Sequence, residues 1–232
     1  MFLKHEGHVT FTRTSFPSHS GEITIMAATK AYPEGGSFLQ TFKRSFTDVP
    51  ISEAPGNAVS TTEFLEAAES LSGLFDVLGS MAFQPVKKDI LGNIKKVRDR
   101  QAAAPTKSKN LQDLVRDELS MKRHTATEGL VWLVRGLDFT ALALTQNLAE
   151  SSEELSKSFR GAYTVTLQPH HSVFVKPIFS AAMMACPYRK DFYASLGNDE
   201  AKVVEELRVW LAALQKVLVI LKEFLKSSEA KW

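Results

Sequence analysis

Apolar residues recur along most of the chain at the three-to-four-residue interval of an amphipathic α-helix. Phe38, Phe42 and Phe46 stand at i, i+4 and i+8 and predict a short amphipathic element closed by Pro50. Thr61 or Thr62 can cap a helix reaching about Phe83, with a wide apolar stripe that includes Phe64, Ala68, Leu71, Phe75 and Leu78. Pro85 suits the first turn of the next helix, which runs to about Ala103 before Pro105 stops it. Further helices are predicted over 108–122, 125–148, 171–186, 188–196 and 199–226. The helix over 171–186 carries Val173, Phe174, Ile178, Phe179 and Met184 on every side, a pattern that predicts burial in core or around an apolar cavity. Residues 161–168 (GAYTVTLQ) form the one strand-like run, too short and too isolated for a sheet, so the fold class is all-α. Polar residues such as Lys176, Gln215 and Lys222 interrupt both apolar segments that come nearest to a membrane span.

With 232 residues, 44% of them apolar, and a net charge of +2, the chain can bury a sizeable core, which excludes whole-chain disorder and a supercharged nucleic-acid arm. Residues 1–36 read as a poorly ordered extension and 37–232 as one domain. The first 25 residues hold seven Ser or Thr with no sustained apolar period; one Arg against two Glu argues against a mitochondrial presequence, and Met26-Ala27-Ala28 would serve as a second translation start. Cys186 is the sole cysteine, which fits a reducing, cytoplasmic compartment. Between 85 and 124, eleven Lys or Arg face five Asp or Glu, so this part would suit an anionic surface or simply be a solvated helix face; no groove-reading motif accompanies it, and nucleic acid is not an expected partner. Phe makes up 15 of the 22 aromatic residues, so most of the aromatic surface lacks a polar tip.

Three segments carry candidate chemistry. In 85–96 (PVKKDILGNIKK), Asp89, Asn93 and Lys96 fall within about 60° of one another on a helix, pointing a carboxylate, an amide and an ammonium one way. Such a set suits a polyhydroxyl ligand, and it equally suits an exposed polar face. Trp132 shares a helix face with Arg135, Gly136 and Phe139, where its indole is either a stacking plate or core. His170 and His171 diverge by about 100° if helical, a poor arrangement for binding one metal, and no metal-binding spacing accompanies them. No catalytic residue, metal site or cofactor is therefore expected. An acid and base pair of Asp89 and His171 would make the chain an enzyme, although no nucleophile motif or phosphate loop supports one; a helical scaffold for a partner helix is the third possibility.

The segments 75–100 (FDVLGSMAFQPVKKDILGNIKKVRDR), 124–139 (HTATEGLVWLVRGLDF) and 158–197, in this order and spacing, resemble the glycolipid transfer protein family over approximately 36–232. The resemblance implies a two-layer sandwich of about eight helices enclosing an apolar lipid pocket. It implies a sugar-headgroup site of Asp89, Asn93, Lys96 and Trp132, a ceramide-amide contact through His171 and Asp89, and a chain pocket lined by Phe139 and Phe179. Some relatives carry a Trp two residues beyond the histidine for membrane contact; Val173 stands here, so that contact would involve Val173 itself with Tyr188, Arg189, Lys190, Phe192 and Tyr193. The ceramide-1-phosphate branch places cations where this chain has Asn93 and Trp132, which favours a neutral glycosyl headgroup while Lys96 and Arg135 keep an anionic one open. The expected protein is thus a monomeric carrier with a glycosphingolipid ligand and transient, peripheral membrane contact.

Overall fold

The computed structural model describes residues 32, 35–53, 56–79 and 81–232. Eight helices of at least two turns carry the fold: α1 (Thr61–Ser72), α3 (Gln84–Ala103), α4 (Leu111–Ser120), α5 (Thr125–Ala149), α6 (Leu155–Thr166), α7 (Lys176–Met184), α8 (Arg189–Leu196) and α9 (Glu200–Lys226), with the single turn α2 at Leu74–Val77. Among the described residues there is no strand, only three isolated bridges. Helix α5 is the centre, flanked by α3 and α6 and crossed by α4 and α9, while α1 packs on α3. The result is the expected two-layer helical sandwich. No described helix is long and apolar enough to cross a membrane. Most of the expected disordered extension lies outside the described residues; Tyr32 and Gly35 are described, and they dock through Tyr32 Oη to the Ser195 carbonyl and through Lys202 to the Gly35 carbonyl.

Several elements depart from the sequence expectation. The Phe38, Phe42, Phe46 spacing is not one helix but two 3-10 turns, Phe38–Thr41 and Phe46–Asp48, the second closed by a capping box from Ser45 to Asp48. Both Phe42 and Phe46 still meet the edge of Trp210, at 6.0 and 5.7 Å between centroids, so the apolar spacing serves packing without dictating the backbone. Ser60, not Thr61 or Thr62, takes the N-cap position of α1. That helix ends at Ser72, Gly73 lies against the Phe38 ring, and Gly79 at φ +73° turns the chain before the 3-10 turn Met81–Phe83.

The strand-like run is helical. Residues 161–166 lie inside α6, where Thr164 and Thr166 donate from their hydroxyls to the carbonyls of Arg160 and Ala162, at 3.0 and 2.7 Å. This back-bonding reconciles β-branched residues with a helix. Phe159, Ala162 and Tyr163 are buried on one face and Val165 faces solvent, which is the helical period that the β-propensity obscured.

The basic bias of 85–124 dissolves into ion pairs. Lys87 meets Asp76 at 2.5 Å, Lys95 meets Asp99 at 2.6 Å, Arg98 meets Glu69 at 2.8 Å, Arg116 meets Glu229 at 2.6 Å, and Arg100 pairs with Asp117. Asp76, Glu69 and Glu229, brought from outside the segment, neutralise about half of a local excess that looked like a binding face.

Candidate functional site

Helix α3 begins with Pro85 in its first turn, which places Asp89, Asn93 and Lys96 one, two and three turns along the face turned to α5. Asn93 is buried and acts as the hinge of the set: its Nδ2 donates to Asp89 Oδ2 at 3.3 Å and its Oδ1 accepts from Lys96 Nζ at 3.1 Å. Crowding around Asp89 strips enough water to push its carboxyl above the ordinary carboxylate value, opposed by the charge of Lys96 and the hydrogen bond from Asn93. The carboxylate, amide and ammonium are thus held in one orientation before any ligand arrives.

Gly129 sets the distance between α3 and α5 here. A Cβ added to it would stand 3.0 Å from Lys96 Cβ, 3.1 Å from Lys96 Cδ and 3.3 Å from the Asn93 carbonyl oxygen. Gly136, the small neighbour of Trp132 seen in the sequence, is less demanding, since its Cβ would meet Ile90 at an ordinary 3.6 Å. A Gly129→Val variant should push Lys96 and the Asn93 backbone away and lower the affinity of this polar set for a polyhydroxyl ligand at least roughly tenfold by calorimetry, with helical content by circular dichroism unchanged.

Trp132 projects from α5 into the same cleft. Its indole stacks on His171 at 5.7 Å between centroids and 20° between planes, and the Arg135 guanidinium lies 4.9 Å from its ring centre. His171 follows the 3-10 turn Gln168–His170, and its Nδ1 shares a hydrogen bond with Tyr163 Oη at 3.2 Å. Burial lowers the imidazole below its usual value, with the nearby His170, Lys176 and Arg135 charges acting the same way, so it is neutral near pH 7. The bond to Tyr163 occupies Nδ1 and leaves Nε2 for a ligand, as a donor in the tautomer where Tyr163 donates and as an acceptor in the other.

These residues line one cleft of about 320 Å³. Asp89, Asn93, Lys96, Trp132 and His171 form its polar side; Val175, Ile178 and Phe179 form its apolar side. Behind it runs an aromatic row: Phe179 stacks on Tyr163 at 5.2 Å and 9°, and Phe139 meets Phe179, Tyr163 and Phe159 edge-on at 5.7 to 6.4 Å. Phe139 is fully buried and Phe179 nearly so. The cleft therefore passes directly from hydrogen-bonding groups to buried aromatic rings.

The expected membrane-contact residues separate. Val173 and Tyr188 are exposed, as is Lys190. Phe192 and Tyr193 are fully buried and belong to the core, which corrects that part of the expectation; Tyr193 Oη donates to Asn147 Oδ1 at 3.1 Å. Arg189 also turns inward, donating from Nη1 to the Asn147 carbonyl at 2.8 Å with its guanidinium 4.3 Å from the Tyr193 ring centre. The buried helix predicted over 171–186 is corrected as well. Pro177 delays the helix start to Lys176, and Val173, Phe174, Ile178 and Met184 face solvent while Phe179, Ala182 and Met183 pack inward. Phe174, at 84% exposure, is a feature that the apolar pattern concealed.

Tyr163 and Gly129 are the site residues absent from the sequence reading. A helical i, i+4 pairing of Phe159 with Tyr163 was available for the first, and position three before Trp132 for the second. Cys186 offers no nucleophile, because burial pushes its thiol up to about 12 and the thiolate is disfavoured. Among the described residues no group of three His, Cys, Asp or Glu is placed to hold a metal ion.

A polar cleft opening onto buried rings, within an all-helical sandwich, is the architecture of a protein that accommodates an amphiphile. The chain belongs to the glycolipid transfer protein family, whose model matches residues 59–198. It is 64% identical over 202 residues to a glycolipid transfer protein of Aureobasidium melanogenum, covering 87% of this chain and 99% of that one. Its structure is similar to the crystal structure of HET-C2, a fungal glycolipid transfer protein, with a TM-score of 0.83 at 67% identity over 84% of this chain and 100% of that one. A structure described as showing how FAPP2 selects simple glycosphingolipids using the same fold aligns with a TM-score of 0.75 at 31% identity, over 85% and 98% of the two chains.

Proposed function

We infer that this protein is a non-enzymatic carrier that takes a glycosphingolipid from one membrane and delivers it to another. The observation carrying this reading is the shared cleft: Asp89, Asn93 and Lys96 meet Trp132 and His171 at the edge of the Phe179, Tyr163, Phe139 row. A sugar presents hydroxyls to the polar trio and an apolar C–H face to the indole. The amide of a ceramide would lie between Asp89 and His171, one accepting its N–H and the other donating from Nε2 to its carbonyl. Each methylene kept from water is worth roughly 0.8 kcal/mol, so two chains of ~30 methylenes would cost on the order of 24 kcal/mol if hydrated. A carrier must sheath them. Admission of chains requires Phe179 and its aromatic neighbours to repack, which rings held by edge and stacking contacts, without hydrogen bonds between them, can do.

No covalent step is part of this reading. Incubating the protein with glucosylceramide vesicles and examining it by native mass spectrometry should show one unaltered lipid per monomer. A hydrolysed lipid would favour the acid and base reading, and a persistently empty protein would favour a scaffold. In a competition, glucosylceramide should displace ceramide-1-phosphate, since a neutral plate and an amide give a phosphate little charge assistance.

Exposed Val173 and Phe174, beside Ile178 at the cleft, supply the apolar contact with a bilayer. The double variant Val173→Asp, Phe174→Asp should slow transfer between vesicles at least roughly tenfold, while binding of a short-chain, water-soluble glucosylceramide remains at the parent level. Equal slowing of both would place these residues in the ligand site instead of at the membrane.

A further inference from the structure

A second cleft of about 400 Å³ lies between α5 and the C-terminal turns of α6 and α9. Arg135, His170, Lys222 and Lys226 line it, with Asp138 as the one carboxylate and apolar wall from Val134 and Val165. The charges do not balance. Asp138 is committed to Lys222, at 2.7 Å. Lys226 stands in the last turn of α9, where it answers the negative end of that helix. Arg135 has no carboxylate partner among the described residues, although it is half-buried. Among the described residues its one direct contact is with the Trp132 ring, which satisfies none of the five N–H donors of the guanidinium. Desolvation accordingly pushes Arg135 below its ordinary value. A partly desolvated guanidinium without a counter-charge is costly, and its forked donors match the oxygens of a phosphate. Lys226 is a second cation on the same cleft without a carboxylate partner among the described residues, and Lys222 adds an ammonium that it shares with Asp138.

We propose that this cleft binds a phosphate-bearing anion, the headgroup of a phospholipid or a soluble phosphate ester, through Arg135 with Lys222 and Lys226. The cleft holding Asp89 suits such a ligand poorly, because its carboxylate is bonded there only to an amide, whereas the carboxylate of the second cleft is already paired. His170 is three residues from exposed Val173, so a chain resting on a bilayer through that loop holds the second cleft close to lipid phosphates. The shared Arg135 also gives the anion a route to the sugar plate: drawing the guanidinium toward phosphate alters its contact with the Trp132 indole.

The test does not depend on lipid transfer. The isotopically labelled full chain is titrated with inorganic phosphate while the Trp132 indole N–H and the His170 imidazole resonances are followed. The same chain is then spun down with phosphatidylcholine vesicles, with and without phosphatidylserine. Saturable shifts of both resonances are expected, abolished in Arg135→Gln and weakened at least about fivefold in the exposed-site variant Lys226→Gln, which tests the cleft even if Arg135→Gln fails to fold. Retention on phosphatidylserine vesicles that both variants lose would assign the anion to a lipid headgroup; phosphate shifts without such retention would assign it to a soluble ester. Absence of both saturable shifts and serine-lipid-dependent retention, or shifts that persist unchanged in the two variants, would overturn the proposal.

Discussion

Trp132→Ala should abolish transfer of a glycosylceramide between vesicles, lowering the rate at least roughly a hundredfold, while the protein melts within a few degrees of the parent. The two halves of this result rest on different contacts. The indole is only half-buried and its neighbours at ring distance are His170, His171 and Arg135, none of them core, so its removal costs the fold about 1 kcal/mol. For a sugar, by contrast, it is the one large apolar plate on the polar side of the cleft. Losing both the stacking surface and the wall that orients His171 removes more than a single hydrogen bond. Trp132→Phe keeps a flat ring without the indole donor and should retain part of the activity. A fluorescence-based vesicle transfer assay beside a thermal melt separates the effects; transfer at the parent rate by the alanine variant would remove Trp132 from the site.

The largest effect on stability is expected at the start of α5. Glu118 on α4 is almost fully buried, and its carboxylate accepts from Ala126 N at 2.9 Å and from Thr127 N and Thr127 Oγ1, each at 2.7 Å. These amides are among the unsatisfied donors at the start of α5, where the helix dipole also favours a negative charge. Glu118→Ala would leave them buried without a partner and should lower unfolding free energy by about 2–4 kcal/mol, a fall in melting temperature of roughly 5–15 °C. Glu118→Gln keeps an acceptor but loses the charge, so about half that loss is expected. Urea unfolding followed by circular dichroism measures both. Because α5 carries Gly129, Trp132 and Phe139, this anchor also holds the register of the site.

Much of the site was legible because it resides in local spacing. Asp89, Asn93 and Lys96 share a face for any helix over 85–96, and Pro85 marks where that helix starts. Tyr163 was hidden because single-residue propensity reads GAYTVTLQ as extended, whereas the hydroxyls of Thr164 and Thr166 find carbonyls one turn back and Phe159 and Tyr163 find the core. Phe192 and Tyr193 illustrate the opposite error. Next to Arg189 and Lys190 they resembled an amphipathic membrane contact, yet Asn147, 46 residues upstream of Tyr193, supplies the buried acceptor that draws that tyrosine inward. Gly129 could be recognised only when the neighbouring helix was in place, since its role is a distance to Lys96.

The abundance of phenylalanine was ambiguous in the same way. Phe46, Phe64 and Phe75 are ordinary core, Phe179 lines the cleft with Phe139 packed behind it, and Phe174 faces water. Helix periodicity, capping residues and the grouping of three polar side chains are short-range properties, set by backbone geometry within a few residues, and the chain by itself determined them. Which apolar face is covered, which charge is neutralised and which imidazole nitrogen remains free depend on partners that other elements of the fold supply. Those were decided only by the tertiary structure, because burial and pairing are properties of the assembled helices and no single segment contains both halves of a contact.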